Sequence, residues 1–331
     1  MISSFGKTPE DEQVVAGRIS AHGLSATILT WGAALQDLRL DSTGRPLVLG
    51  FTSLHDYLAH GMYHGATVGR VINRIGGASA PIGGTACRFD CNDPGGHTLH
   101  GGRAGYAARN WQMTDHQAGE ITFGLTDPHG SMGFPGTVTA NCRYSLVSRD
   151  GAPTLRIELR ARTDAPTLVN LGHHSYFCLD DSGDIRGHDL RIDADRYLAA
   201  DATSLPTGVI EQVDGSRFDF RLRRRVAGSY DHNFCLADAR RGLTPVAWLD
   251  SPRSGLSMRV STTEPGLQLY TGQGLTDGGS GHDGHATGPY AGICLEPQCW
   301  PDAPNNAAFP SIDLRAGDSY QQISEFSFPH G

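Results

Sequence analysis

The sequence contains almost no lysine. Lysine and arginine together number 27, and Lys7 is the only lysine among them. Schiff-base chemistry, pyridoxal phosphate attachment and the phosphate-binding P-loop all need an amine at the reacting site. Because Lys7 lies near the N-terminus, it is poorly placed to supply that amine. These three classes of function are therefore excluded.

Paired cysteines and long hydrophobic runs are also missing. The seven cysteines are an odd set without a CxxC pair, so the sequence predicts neither a disulfide framework nor a zinc ribbon. The opening residues, MISSFGKTPEDEQV, have no apolar core of the kind that a secretory signal requires, and no later run approaches membrane-spanning length. We therefore expect a cytoplasmic protein that has no membrane partner.

Positive charge is scarce relative to negative charge. Charged residues make up 19% of the chain, and the net charge is -8. Binding to nucleic acid would require a basic surface, so we expect no nucleic-acid partner. The sequence also carries no nucleotide-binding fingerprint. These features favour a protein that acts on a small molecule.

Glycine is abundant, at 43 residues, and it separates short alternating segments such as TVTANCRYSLVS, TLRIELRART and GLQLYTGQ. Segments of about 5 to 9 residues that are closed by Gly, Asp, Asn or Pro are typical of strands and hairpins. The best helical candidate is SLHDYLAH, and the stretch GLTDGGSGHDGHATGPY predicts a long surface loop. The chain shows no repeat and no linker. It therefore predicts a single all-β domain over residues 1–331, a large antiparallel β-sandwich.

One carboxylate stands in the apolar stretch AGICLEPQCWPDAPN. In a strand, Cys294 and Glu296 share one face, and Pro297 is expected to weaken the pairing just after the carboxylate because it has no amide proton. Glu296 is then either a solvated charge that protects an edge strand or a general base at the rim of a cleft. This segment alone leaves both interpretations open.

Two adjacent histidines lie in the stretch TLVNLGHHSYFCL. Strand alternation directs His173 and His174 to opposite faces, so they are not expected to bind one metal ion together. His174 shares its face with Asn170 and Tyr176, and it is either a proton donor or a hydrogen-bonded structural histidine.

Polar side chains suited to sugar hydroxyls recur in other segments. GRVINRIGGA contains Asn73 and Arg74, SYDHNFCL contains Asp231, and GLQLYTGQ contains Gln268. GGHTLHGG contains His97 and His100, for which we expect no metal because no cysteine or carboxylate completes a ligand set nearby. Such an inventory is typical of carbohydrate binding.

Taken in order, these segments resemble the aldose 1-epimerases, or galactose mutarotases, over nearly the whole chain. The matching motifs are VGRVINRIGGA, HTLHGG, GFPGTVTANCRYSL, NLGHHSYFCL, SLPTGVIEQVDGSRFDFR, YDHNF, GLQLYTG and ICLEPQCWPDAPN.

The resemblance implies a β-sandwich of the galactose mutarotase type with an open cleft and no metal or organic cofactor. It implies that Glu296 is the catalytic base and His174 the catalytic acid, which together interconvert the α and β anomers of a free aldose. The substrate-binding residues that it implies are Arg74, His100 and Asp231, with Asn73 and Gln268 as supporting contacts.

The chain departs from the family pattern at two places. Gly172 and His173 replace the Thr-Asn pair that usually precedes the acid histidine, and Thr98 replaces an Asn before Leu-His-Gly-Gly. We expect altered support for His174 and a substrate preference that differs from galactose, with a pentose such as xylose or arabinose among the candidates.

Three alternative functions stay open. The first is a hexose-6-phosphate 1-epimerase, for which Arg103 or Arg109 would supply cations at the cleft rim. The second is a non-catalytic sugar sensor, and the third is a glycoside hydrolase or lyase that uses Glu296 with Asp231. In every case the expected partner is a small carbohydrate, and the protein is expected to be a monomer or a homodimer.

Overall fold

The computed structural model describes residues 1–61, 63–285 and 287–329. Within these ranges it has a single α-helix, α1 (Leu54–His60). The strands of the first half are β1 (Ile2–Lys7), β2 (Gln13–Ala21), β3 (Leu24–Leu29), β4 (Leu35–Leu40), β5 (Ala66–Val68), β6 (Arg74–Ile75), β7 (Ser79–Ile82), β8 (Thr85–Arg88), β9 (Thr98–Leu99), β10 (Gln112–Gln117), β11 (Glu120–Asp127), β12 (Val138–Arg149) and β13 (Ala152–Thr163).

The second half is also built mainly from strands. They are β14 (Thr167–Leu168), β15 (Gly172–His174), β16 (Asp189–Ile192), β17 (Arg196–Ala200), β18 (Pro206–Gln212), β19 (Arg224–Arg225), β20 (Asp231–Cys235), β21 (Thr244–Asp250), β22 (Ser257–Thr262), β23 (Gly266–Tyr270), β24 (Cys294–Gln298), β25 (Asp313–Leu314) and β26 (Ser319–Ser327). Short 3₁₀ turns lie at Gly76–Ala78, Tyr106–Ala108, Ser131–Gly133, Ile185–Gly187, His282–Gly284 and Ala303–Asn305.

Three antiparallel sheets form most of the molecule. The largest has nine strands in the order β10-β11-β12-β13-β26-β22-β21-β16-β19. A second has the order β18-β17-β20-β23-β24, and a third the order β1-β2-β3-β4. Four two-stranded ladders, β5 with β15, β6 with β9, β7 with β8 and β14 with β25, complete the sheets of the described ranges. None of the helices in these ranges has both the length and the apolar character needed to cross a membrane.

One hydrophobic cluster joins the inward faces of the three large sheets. Alternate residues of β12 enter it, as expected for strands that cover a core on one side. Its members include Ala26 and Leu38 from the four-stranded sheet, Ala140 and Leu159 from the nine-stranded sheet, and Leu267 and Leu295 from the five-stranded sheet. The fold is therefore the predicted antiparallel β-sandwich, in which the five-stranded sheet has one face on the core and one face free for other uses.

Local sequence signals set several connections correctly. Asp150 and Gly151 both have positive φ, at 52° and 81°, and they form the two-residue turn between β12 and β13 that an Asp-Gly pair favours. The predicted helix SLHDYLAH is α1, and the Ser53 hydroxyl caps its N-terminus by accepting a hydrogen bond from the Asp56 amide at 3.1 Å. The helix buries Leu54 and Tyr57, which fixes the position of the segment that follows it.

Other expectations about secondary structure are wrong in detail. Strands β12 and β13 have 12 residues each and are longer than most of the predicted strands, because they pair with each other along their whole length, as the long segments TVTANCRYSLVS and TLRIELRART indicated. The stretch 167–179 is not one strand, since it divides into β14 and β15. The Gly-rich loop 274–290 is only partly exposed, since His282, Thr287 and Gly288 are buried, and its residue Ala286 lies outside the described ranges.

A buried arginine anchors the chain just before β6. Arg70 is 1% exposed, and its guanidinium group donates to the Asp127 carboxylate at 2.6 Å. It also donates to the Pro135 carbonyl at 2.7 Å, the Gly136 carbonyl at 3.0 Å and the Thr167 hydroxyl at 3.1 Å. The guanidinium therefore links its own segment to three other parts of the chain and holds the start of β6 in place.

We predict that Asp127→Ala lowers the free energy of unfolding by about 3–5 kcal/mol, because it leaves the Arg70 charge buried without its counter-ion. Denaturant unfolding followed by circular dichroism measures this loss. Lys7→Ala is the control, since it breaks the exposed pair between Lys7 and Asp11 and should leave the unfolding midpoint nearly unchanged. An Asp127→Ala midpoint equal to that of the control would contradict the anchoring role of Arg70.

Candidate active site

The free face of the five-stranded sheet carries the predicted polar residues in register. Asn233, Gln268 and Glu296 lie opposite one another across β20, β23 and β24. The next row contains Asp231, Tyr270 and Cys294. Residues in register share a face, and so do alternate residues along a strand. The other face of these strands supplies core residues, which include Phe234, Leu267, Leu269 and Leu295.

Glu296 lies inside a strand and not at its end. β24 continues to Gln298, and Pro297 is in register with Leu267, so the expected weakening of the pairing after the carboxylate is wrong. The proline is tolerated because β24 is the edge strand of its sheet and pairs on one side only. Glu296 is 2% exposed, which contradicts the interpretation that it is a solvated charge on an edge strand.

His174 reaches the same face from another ladder. β15 pairs with β5, where His174 lies opposite Ala66. Its Nε2 is 3.7 Å from Oε1 of Glu296. His173 points the other way, as predicted, and its Nε2 hydrogen-bonds the Ser175 hydroxyl at 2.7 Å inside the core. A Cβ on the preceding residue, Gly172, would lie 2.2 Å from Cδ1 of Ile72, so a larger residue there would require the Ile72 side chain to move.

Asn73, Arg74 and His100 reach the cavity from the ladder of β6 and β9. The backbone N–H of Asn73 donates to Nδ1 of His100 at 3.1 Å, and the backbone N–H of His100 donates to the backbone carbonyl of Asn73 at 3.0 Å. These reciprocal bonds hold both residues with positive φ, at 65° and 53°. Because Nδ1 of His100 accepts a hydrogen bond, the proton of the neutral ring lies on Nε2. Burial lowers the pKa of His100 well below its usual range, with His174 and Arg74 adding to the effect, so this ring stays neutral.

All seven predicted site residues line one cavity of about 280 Å³. This volume is near the lower end of the range for small-molecule sites. Several buried polar atoms that border it have no hydrogen-bond partner among the described residues, namely Nε of Arg74, Oε1 of Gln268, Oε2 of Glu296 and Nε2 of His64. Buried polar atoms are normally paired, so this group of unpaired donors and acceptors indicates a polar ligand.

Arg74 lies near the carboxylates of Asp93 and Asp231 but forms a hydrogen bond with neither of them. Its guanidinium nitrogens are 3.6 Å from Asp93 and 3.8 Å from Asp231, beyond hydrogen-bond distance. Asp231 instead accepts a hydrogen bond from Nε2 of Gln268 at 2.6 Å. Arg74 is therefore held by charge while its donors remain available to a ligand.

Several residues that line the cavity were not predicted from the sequence. His60, Tyr63 and His64 come from the end of α1 and the segment after it, and Leu275 and Thr276 come from the Gly-rich loop. The Tyr63 ring packs on His100 and His174, with centroid separations of 4.5 Å and 5.6 Å. The density of histidine and tyrosine in the stretch 60–64 was the available signal.

Burial sets the protonation of Glu296 and His174. It raises the pKa of Glu296 well above its usual range, an effect that the Asp231 carboxylate strengthens and Arg74 opposes. It lowers the pKa of His174 to about 4, although a hydrogen bond from the charged ring to its own carbonyl acts in the other direction. Their separation suits an ion pair, but burial opposes the charged form of each group. Burial therefore favours a protonated Glu296 and a neutral His174.

Two groups of side chains have the composition of metal ligands within the described ranges. In the first, which contains His174, Cys294 and Glu296, Cys294 is fully buried and does not line the cavity. The second contains Cys178, Asp180 and His188, none of which lines the cavity.

The atoms of this second group that could bind a metal ion take part in hydrogen bonds instead. Asp180 accepts hydrogen bonds from Ser182 and Ser251, and Nε2 of His188 accepts one from the Leu179 amide at 2.9 Å. His97, which was considered with His100, accepts a hydrogen bond from the Gly77 amide at 3.1 Å. These contacts indicate that Asp180, His188 and His97 have structural hydrogen-bonding roles.

Comparison with known proteins gives one consistent result. The family model for aldose 1-epimerase matches residues 18–327. The galactose mutarotase of Rattus norvegicus is 36% identical over 339 aligned residues, which cover 98% of this chain and 97% of the relative. The aldose 1-epimerase of Escherichia coli K12 is 34% identical over 327 aligned residues, with 92% of each chain covered.

Solved structures show the same likeness. The chain is similar to an aldose epimerase homologue from C. elegans, with a TM-score of 0.88, 30% identity, and coverage of 95% of this chain and 98% of the other. It is also similar to the galactose 1-epimerase of Lactobacillus acidophilus, with a TM-score of 0.85, 26% identity, and coverage of 100% and 98%. The chain belongs to the aldose 1-epimerase family, a family of isomerases, as its motifs predicted.

Proposed function

We propose that this protein interconverts the α and β anomers of a free aldose, with Glu296 as the catalytic base and His174 as the catalytic acid. The observation that carries the proposal is the position of the two groups, which are both buried and lie 3.7 Å apart in one cavity. The relatives named galactose mutarotase and aldose 1-epimerase support the reaction type.

The reaction requires two proton transfers in opposite directions. Glu296 takes the proton of the C1 hydroxyl while Nε2 of His174 gives a proton to the ring oxygen, and the ring opens to the aldehyde. Rotation about the bond between C1 and C2 presents the other face of the carbonyl. The two transfers then run in reverse, so that the ring closes as the other anomer and both residues regain their starting state.

The pair carries a single proton at every stage of this cycle. Opening converts Glu296 carboxylate and His174 imidazolium into Glu296 carboxylic acid and neutral His174. Burial favours the neutral form in the free protein, and sugar hydroxyls that donate to Oε2 of Glu296 lower the free energy of the ionic form in the complex. The two forms thereby become close in free energy, which suits a reaction that must run in both directions.

The remaining polar groups orient the sugar. Arg74 and Nε2 of His100 are donors to hydroxyl oxygens, while Asp231 and Oε1 of Gln268 are acceptors. Asn73 acts through His100, whose ring it holds by the hydrogen bond from its amide. Fixed donors and acceptors of this kind hold the C1 hydroxyl and the ring oxygen against the reacting pair.

The environment of the cavity favours a free sugar over a sugar phosphate. Asp231 and Glu296 border it, Asp93 lies beside Arg74, and Arg74 is the one arginine among its described lining residues. Arg103, a candidate for phosphate binding, is exposed and paired with Asp90 at 2.8 Å. Arg109, the other candidate, is paired with Asp127 at 3.3 Å. Neither of these two arginines lines the cavity.

Three further predictions rest on the sequence alone. They are that residues 1–331 form one domain, that the protein is a monomer or a homodimer, and that it is cytoplasmic. Whether the preferred aldose is a hexose or a pentose is answered by polarimetry on freshly dissolved anomers of each.

We predict that Glu296→Gln and His174→Asn each lower the rate of mutarotation by at least about 10²-fold, because each removes one of the two proton transfers. Polarimetry of freshly dissolved α-anomers measures the rate, and circular dichroism checks that the variants are folded. A near-normal rate in either folded variant would refute the assigned roles. Binding of the sugar by the wild type without any acceleration would favour a sensor.

The pH profile of kcat/KM should be bell-shaped, because the pair works only with one proton. A second proton binds to His174 as the pH falls through about 4, which gives the acid limb. The remaining proton leaves as the pH rises through the raised pKa of Glu296, which gives the alkaline limb. An acid limb near the ordinary histidine value of about 6.5 would contradict the proposed protonation of the pair.

Glucose and glucose 6-phosphate should be discriminated in favour of the free sugar. We expect kcat/KM for the phosphate to be lower by at least about 10-fold, since the carboxylates near the cavity repel the phosphate dianion. The two substrates are compared in the same polarimetric assay, with galactose as the reference. Equal or higher activity on the phosphate would favour the sugar-phosphate epimerase, and release of reducing ends from an oligosaccharide would favour the hydrolase.

A further inference from the structure

The two nitrogens of the His174 ring face different side chains of β24. Nε2 faces Glu296 across the cavity, at 3.7 Å from Oε1. Nδ1 lies 3.5 Å from Sγ of Cys294, which is two residues before Glu296 on the same face of the strand. Cys294 is fully buried and does not line the cavity, so it can contact the histidine but not the sugar.

We propose that Cys294 is a positioning residue for the reaction. Its sulfur accepts a hydrogen bond from the N–H at Nδ1 of His174, so that Nε2 is the nitrogen that exchanges a proton with the sugar. This inference rests on the proposed role of His174 as the acid. It assigns to a buried cysteine the task of fixing both the tautomer and the orientation of that ring.

The direction of the hydrogen bond between His174 and Cys294 follows from the number of protons that the His174 ring carries during the reaction. The protonated ring carries protons on both nitrogens, and Nε2 gives its proton to the ring oxygen and later takes it back. Nδ1 must therefore stay protonated throughout, because loss of both protons would leave an imidazolate. A proton that stays on Nδ1 needs an acceptor, and Sγ of Cys294 lies at a suitable distance for an N–H to sulfur hydrogen bond.

The sulfur acts as a neutral thiol. Burial raises the pKa of Cys294 well above its usual range, and the nearby carboxyl groups of Glu296 and Asp231 raise it further. A thiol sulfur is a weak acceptor, so it orients the Nδ1 proton without stabilising the imidazolium strongly. A carboxylate in this position would raise the basicity of the ring, as it does for metal-bound histidines. Cys294 therefore keeps His174 a strong acid while fixing its geometry.

Apart from the His174 carbonyl, which hydrogen-bonds the charged ring, Cys294 is the acceptor that the surroundings of the ring provide for Nδ1. The titratable side chains that surround His174 are Tyr63, His64, His100, His173, Tyr176, Cys294 and Glu296. Five of these pack as rings or stay neutral through burial, and Glu296 lies on the Nε2 side. Among the described side chains, Cys294 is the one in hydrogen-bond contact with Nδ1.

The test compares Cys294→Ala and Cys294→Ser with the wild type. Removal of the acceptor in Cys294→Ala should lower kcat by on the order of 10-fold, with a smaller change in KM, because the ring loses its fixed tautomer while the sugar contacts remain. Cys294→Ser should keep most of kcat and move the acid limb of the kcat/KM profile upward by about 1 pH unit, because a hydroxyl oxygen accepts the Nδ1 proton more strongly.

Nitrogen NMR of histidine-labelled protein reads the tautomer without any activity assay. His174→Asn identifies the signals of this ring. We expect the Nδ1-protonated tautomer in the wild type and a mixture of tautomers in Cys294→Ala. Cys235→Ala is the matched control, because Cys235 is also buried on this sheet but packs in a separate hydrophobic cluster with Leu198 and Trp300 and does not line the cavity. It should match the wild type in both the kinetic and the NMR measurements.

Two results would overturn the inference. One is an Nε2-protonated tautomer in the wild type. The other is that Cys294→Ala has the same kcat, the same acid limb and the same His174 tautomer as an active wild type. Failure of the proposed function looks different, since the wild type itself would then not accelerate mutarotation.

Discussion

The desolvation of one carboxyl group and one imidazole in a shared cavity is the constraint on which the site depends. In water, the pKa of a glutamate is about 4.3 and that of a histidine about 6.5. Between these two values the carboxyl group is ionised and the imidazole is charged. Burial reverses this order, because both charged forms lose hydration, and the Asp231 carboxylate adds to the effect on Glu296. The result is a pair that shares a single proton and can pass it in either direction, which is the requirement for a reaction that opens and closes the same ring.

The fold creates this constraint by presenting one polar face on a sheet whose other face belongs to the core. β20, β23 and β24 alternate between the two, so the same register that buries Leu267 and Leu295 places Gln268 and Glu296 on the cavity side. The acid arrives from a separate ladder, β5 with β15. Because β20, β23 and β24 pack on one hydrophobic cluster, the unpaired polar atoms of Gln268 and Glu296 are positioned before a ligand arrives.

Much of this arrangement could be predicted from the sequence, since strand alternation is a local property. It separated His173 from His174 and grouped Cys294 with Glu296, and local turn and capping signals located the β12–β13 hairpin and α1. The family resemblance supplied the seven site residues, which the cavity brings together.

The rest depends on contacts between distant parts of the chain. The sequence did not show that Tyr63 packs on His174, because the segment after α1 is placed by the helix it follows. It did not show that β24 continues through Pro297, because only the sheet order makes β24 an edge strand. It also gave no sign that Ile72 fills the space beside Gly172.

The protonation state of Glu296 in the free protein tests the central claim most directly. Infrared difference spectra between the wild type and Glu296→Gln at about pH 5.5 report it, because an ordinary glutamate is ionised and an ordinary histidine is charged at that pH. The account predicts the carbonyl band of a protonated carboxyl group that disappears in the variant. Carboxylate bands from Glu296 under the same conditions would contradict the account.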